Sequence, residues 1–160
     1  MTAIKITIGE LDMIADLNDT PTAEAIIKIL PIEGPASIWG DEIYFGIDVS
    51  MEEDEGARAS LSIGELAYWP PGGAFCIFWG ETPASKSPGD IRAASEVNPI
   101  GRLRAIPVMD LGNVEMGETV TVELIEESEI PGMSGVPADD PAEEPAGEPA
   151  EEPADEPAKE

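Results

Sequence analysis

Apolar and polar residues alternate almost from the start of the chain. Ile4, Ile6 and Ile8 share one side of an extended segment, with Lys5 and Thr7 on the other, which predicts a half-buried strand over residues 3–8. After Gly9 the alternation is looser, yet Leu11, Met13, Ala15 and Leu17 still fall on one face. At Thr20-Pro21 the period changes. Thr caps the first free amides of a helix, and Pro has the φ of the first helical position. Ala23, Ile26, Ile27 and Leu30 then follow the spacing of an amphipathic helix, which Pro31 ends because its ring cannot continue the ladder.

Beyond the helix the pattern is that of strands. Ile43, Phe45, Ile47 and Val49 alternate with Tyr44, Gly46 and Asp48, and residues 51–56 form an acidic turn. Residues 59–63 and 66–69 read as strands on either side of Gly64-Glu65, and Pro70-Pro71-Gly72-Gly73 forces a loop. Residues 74–79 are continuously apolar, as in a strand buried on both faces. The Gly-, Pro- and Ser-rich residues 80–95 read as a long loop, of the kind that is more often functional than accidental. Residues 97–103 suggest a strand interrupted by Pro99, residues 108–111 a helical turn, and Val120, Val122 and Leu124 a closing strand. A count of about eight strands with one or two short helices predicts a mainly β domain, closed as a barrel or folded as a sandwich.

The last residues follow a different rule. Residues 137–160 are six Pro-Ala-x-x tetrapeptides rich in Asp and Glu. A proline in every fourth position removes the donor that each helical turn needs, and nothing apolar is present to bury. This predicts a globular domain over residues 1–126 and a disordered acidic tail over residues 127–160. The tail is a solubilising bristle on the plainer reading, and a spacer or docking arm on the other.

Charge and composition narrow the chemistry. The net charge is −26, and residues 1–125 alone carry 21 Asp and Glu against 7 Lys and Arg. Phosphate backbones and anionic lipid repel such a surface, which argues against nucleic-acid and membrane partners. Arg102 and Arg104 form no larger basic cluster. There is no His, so triads and zinc sites that need imidazole are excluded, and the single Cys76 excludes an intrachain disulfide. No secretory pattern opens the chain and no apolar run is long enough to span a bilayer, so a cytoplasmic protein without a cofactor is expected.

Two unusual blocks, LPIEGPASIWGDEIYF (residues 30–45) and GELAYWPPGGAFCIFWGETPAS (residues 64–85), resemble a little-characterised prokaryotic family of cyclophilin-like domains. The resemblance covers residues 1–126 and implies a closed eight-stranded cyclophilin-like β-barrel with one or two short helices. Cyclophilins themselves are peptidyl-prolyl isomerases. Their Gly-Ser-Gln-Phe-Phe-Ile strand is best matched by Gly72, Gly73, Ala74, Phe75, Cys76 and Ile77, with Ala74 where the pocket glutamine would stand. Their Phe-His-Arg segment, which supplies the guanidinium, corresponds to residues 37–45, and no basic residue occurs between Lys28 and Arg58. A donor that binds the twisted amide better than the planar one supplies much of such catalysis, and losing one costs about a hundred- to a thousandfold.

The leading expectation is therefore a domain with weak or absent isomerase activity that binds a peptide segment or small apolar ligand in a groove. Trp39, Tyr68 and Phe75 are candidates for its wall, and Arg92 or Arg102 for anion contacts. Trp39 and Tyr68 lie beside loops, whereas Phe75 sits on the apolar run and also reads as core. A prolyl isomerase with a relocated arginine is the alternative, and a structural subunit of a larger assembly is a third. Oligomeric state is open. Asp41 and Glu42 read as a solvated turn, since adjacent strand residues point apart. Residues 52–55 lack the alternating ligand spacing of a calcium loop. Cys76, among apolar neighbours, reads as inert core.

Overall fold

The alternating start of the chain becomes two antiparallel strands, β1 (Thr2–Ile8) and β2 (Leu11–Leu17), with Ile4 opposite Ala15 and Ile6 opposite Met13. The computed structural model describes residues 1–130. They fall into two units, Met1–Leu124 and the beginning of Ile125–Glu160. Of the second unit, the described part holds one 3-10 turn, Glu127–Glu129. The Pro-Ala-x-x tail expected to be disordered lies outside the described residues.

Helix α1 (Pro21–Ile29) follows β2 as the sequence predicts. Thr20 caps it by accepting the Ala23 amide at 3.2 Å, and Thr22, Ala23 and Ile26 are buried. Then come β3 (Ile32–Pro35), β4 (Ser37–Trp39), β5 (Glu42–Gly46), β6 (Arg58–Leu61), β7 (Glu65–Trp69), β8 (Ala74–Phe78) and β9 (Ile91–Leu103). Helix α2 (Val108–Leu111) and β10 (Thr119–Leu124) complete the unit. One sheet runs β3-β10-β1-β2-β9-β7-β8-β5-β4, and β6 joins it through β9.

This corrects the expectation of a closed eight-stranded β-barrel. The sheet has ten strands and is open: no pairing among the described residues joins its edges, β3 and β4. The two edge strands are consecutive in the chain and separated only by Ala36. An antiparallel ladder between neighbours needs a turn of at least about two residues. Ala36 instead bonds sideways to the loop before β10, donating to Glu118 O and accepting from Gly117 N, each at 2.8 Å. The chain thus passes from one edge of the sheet to the other without a hydrogen-bonded seam.

The main core is gathered on one face. Ile4, Ile6, Ile8, Met13, Ala15, Leu17, Val120 and Val122 meet Ile43, Phe45, Leu66, Tyr68, Phe75 and Ile77 there. Phe45 and Phe75 pack ring to ring with centroids 5.6 Å apart. Each such side chain contributes roughly 1.5–3 kcal/mol through burial. A second cluster lies on the opposite, outer face of β5, β7 and β8. Ala67, Ala74, Cys76 and Phe78 meet Leu61, Ile91, Ala93 and Val97 there. All five residues of β8 are buried, so its unbroken apolar run has a partner on each side.

The outer cluster depends on β9, which does two jobs. Its second half pairs with β7 and β2, while its first half pairs with β6 as a ribbon over the outer face. The sequence reads residues 91–95 as loop, and the structure places them in this strand. Pro99 does not interrupt it, because a register shift occurs beside it, between Leu66 and Ala67. Proline is tolerated where the ladder is already irregular. Asn98, fully buried, anchors the bend: it donates to Thr22 Oγ1 (3.0 Å) and Glu52 O (2.9 Å) and accepts from Asp54 N (2.8 Å). The acidic turn is therefore tethered at Asp54, although its sequence suggests only solvation.

Candidate functional site

Between the outer face and the β9 ribbon lies a cavity of about 200 Å³ lined by Trp39, Glu42, Tyr44, Trp69, Ala93, Ala94 and Val97. Trp39 comes from edge strand β4, Glu42 and Tyr44 from β5, Trp69 from the end of β7, and the small residues from β9. The opening arises from a mismatch of register. Arg58 pairs with Val97 and Ser60 with Arg92, so residues 93–96 bulge opposite the single residue Ala59. Ala93 and Ala94 in that bulge fill little of the space. Trp69 is held by its indole N–H, which donates to Ser95 Oγ at 2.7 Å.

The turn from Trp39 to Glu42 sets the other wall. Gly40 has φ +61°, and a Cβ there would meet Pro83 Cδ at 2.8 Å and Thr82 Cα at 2.9 Å. Only glycine fits this close approach in a left-handed conformation. Asp41 then turns back, its amide donating to Glu81 O at 2.8 Å and its carbonyl accepting from Trp79 N at 3.0 Å. Glu42 enters β5 opposite Phe78 and faces the cavity. Its sequence reading as part of a solvated turn does not hold: it is 6% exposed.

Glu42 is the unusual group of the site. Burial among apolar walls pushes its carboxyl up to about 7, partly opposed by the neighbouring Cys76 thiol, whose Sγ lies 3.7 Å from its acceptor Ala74 O. Burial, and secondarily the nearby Glu42 charge, pushes the Cys76 thiol well up, so it stays protonated and unreactive. Among the described residues Glu42 has no ion-pair partner.

The residues singled out in the sequence are dispersed. Trp39 lines the cavity. Tyr68 and Phe75 are 1% and 0% exposed in the main core, on the other side of the sheet. The Tyr68 hydroxyl donates to Val49 O at 2.6 Å and accepts from Met51 N at 3.2 Å, a structural brace. Arg92 is engaged with Asp90 at 3.1 Å, Arg58 with Glu65, and Arg104 with Asp16 at 2.8 Å, while Arg102 is exposed on β9. No arginine lines the cavity. Neither Tyr44 nor Trp69 is among the wall candidates read from the sequence. A strand alternation running Glu42, Tyr44 against Ile43, Phe45 was the available signal for a second, partly polar face.

A sequence profile described as cyclophilin-like matches residues 2–123. The chain belongs to the cyclophilin-like family. The solution structure of the hypothetical protein AF2241 from Archaeoglobus fulgidus is 38% identical, covers 78% of this chain and 95% of its own, and superposes with a TM-score of 0.66. No match occurs among curated proteins. This cyclophilin-like domain thus shares its architecture with an archaeal relative whose own description names no activity. Among its described residues no helix is long and apolar enough to cross a membrane.

Proposed function

We propose that this cyclophilin-like domain is a binding module that takes a small ligand, or one side chain of a peptide, into the outer-face cavity. The observation that carries the reading is the cavity itself: Trp39, Tyr44 and Trp69 surround one buried carboxyl. Binding sites are commonly concave, mostly apolar and equipped with a few placed polar groups. Prolyl isomerisation is not favoured, because the twisted amide needs a positioned donor and the arginines are ion-paired or exposed elsewhere.

The three tryptophans give a direct test. Trp39 and Trp69 line the cavity, whereas Trp79 packs against the main core and near Gly112, 3.5 Å from where a Cβ would sit there. Titration with a small-molecule fragment mixture, followed by indole N–H resonances, is expected to move Trp39 and Trp69 and leave Trp79 in place. Movement of Trp79 alone, or of none, would remove the reading. Exchange of a proline tetrapeptide is expected to proceed at its uncatalysed rate; a large acceleration would restore the isomerase alternative.

A further inference from the structure

We propose that the cavity receives the substituted-ammonium head of an organic cation, with the Glu42 carboxylate as counter-ion and Trp39, Tyr44 and Trp69 as walls. This rests on reading the cavity as a ligand site and names the ligand's chemistry.

Phe78 on β8 pairs with Glu42 on one side and Glu65 on the other, so two buried glutamates flank one residue. Glu65 has its cation: Arg58 binds both carboxylate oxygens, and the Ser62 amide donates to it at 2.9 Å. Glu42 faces the cavity beside the Cys76 thiol and has no ion-pair partner among the described residues. A buried carboxylate is stable as an ion only when paired. The cavity leaves room for a partner that the chain does not supply.

A hard metal ion needs about six oxygen ligands, and the lining offers one carboxylate and one phenol. A primary ammonium carries three N–H donors and is strongly hydrated, and these mostly apolar walls replace little of that water. An alkylated ammonium loses those donors and gains methyl surface, which aromatic walls accept while their electron-rich rings attract the charge. The net charge of −26 adds a long-range field that concentrates cations at the surface.

The groups facing Glu42 keep its titration simple. Cys76 approaches from β8 and Tyr44 from its own strand, β4 brings Trp39, and β9 brings Ala93, Ala94 and Val97. Glu65 and Arg58 lie beyond Phe78. Glu42 must give up its proton to act as counter-ion, so binding strengthens as pH rises through about 7 and then levels off.

The full chain would be titrated with tetramethylammonium chloride, with neopentyl alcohol as a neutral molecule of similar bulk, and with a capped tripeptide carrying trimethyllysine. Indole N–H shifts of Trp39 and Trp69 give the dissociation constants. At pH 8 the cation is expected to bind on the order of tenfold more tightly than the alcohol, and E42Q should erase that preference while still binding the alcohol. Tighter binding of the peptide would identify a protein-borne head, and weaker or equal binding a free small molecule. Equal binding of cation and alcohol by the natural chain, or a preference that survives E42Q, would overturn the proposal while leaving the cavity a ligand site. Absence of any shift with all three probes would overturn both.

Discussion

Glu42 and Glu65 occupy matching positions on the two strands that flank β8, each opposite Phe78, and each is almost wholly buried. Their surroundings differ in one respect. The β6 strand crosses near Glu65 and delivers Arg58, whereas the bulge in β9 leaves only alanines and a valine near Glu42. One carboxylate is thereby part of the scaffold, and the other carries an unmet electrostatic demand. A buried ion pair contributes little net stability relative to an apolar pair, but an unpaired buried charge is costly. The fold can thus satisfy a glutamate in this row and does so on one side only.

Three substitutions test the contrast between the two glutamates. The largest effect is expected from Arg58→Met, which turns Glu65 into a second unpaired carboxylate. It should cost about 2–4 kcal/mol in urea unfolding at neutral pH, the guanidinium being partly exposed, and R58M/E65Q should recover much of the loss. A loss within error would mean that the pair is ornamental and that the contrast with Glu42 is empty.

Glu42→Gln is expected to act in the opposite direction. The native carboxyl titrates near 7 and the unfolded one near 4.5, so between these values the native state holds a proton that the unfolded state lacks. Stability therefore falls as pH rises from about 4.5 to 7, and the deficit is fully present above 7. E42Q removes it and should stabilise the protein by about 2–3 kcal/mol at pH 8, with almost no effect at pH 4. Melting temperatures of both proteins across that range check the claim, and parallel curves would refute it.

The smallest effect comes from supplying the missing cation. Ala94 is exposed and lines the cavity, so Ala94→Lys can reach toward Glu42. A gain of about 1 kcal/mol at pH 8 is expected, together with loss of tetramethylammonium binding. Unchanged binding in A94K would place the cation elsewhere.

How much of this was legible in the sequence depended on the range of the interaction. Local patterns sufficed for β1, β2, α1, β8 and β10, because alternation, a Thr-Pro start and an unbroken apolar run each act over a few residues. They also gave the lack of an arginine between Lys28 and Arg58, which bears on the isomerase reading wherever the chain folds. Short edge strands such as β3 and β4 left no such pattern, being too brief for alternation to register. Their separation by Ala36 is why the expected barrel remains an open sheet.

Composition and short-range periodicity, which are properties of the chain alone, specify an acidic, His-free, mainly β domain with a chemically different tail. Tertiary structure decided which side of each strand is buried twice. Tyr68 and Phe75 went to the main core, while Trp39, Tyr44 and Trp69 were gathered from three strands around Glu42. That choice follows from β9 folding back over the outer face, a pairing between residues thirty or more positions apart. No local signal encodes it, because the free energy that selects it comes from burying both faces of β8 at once.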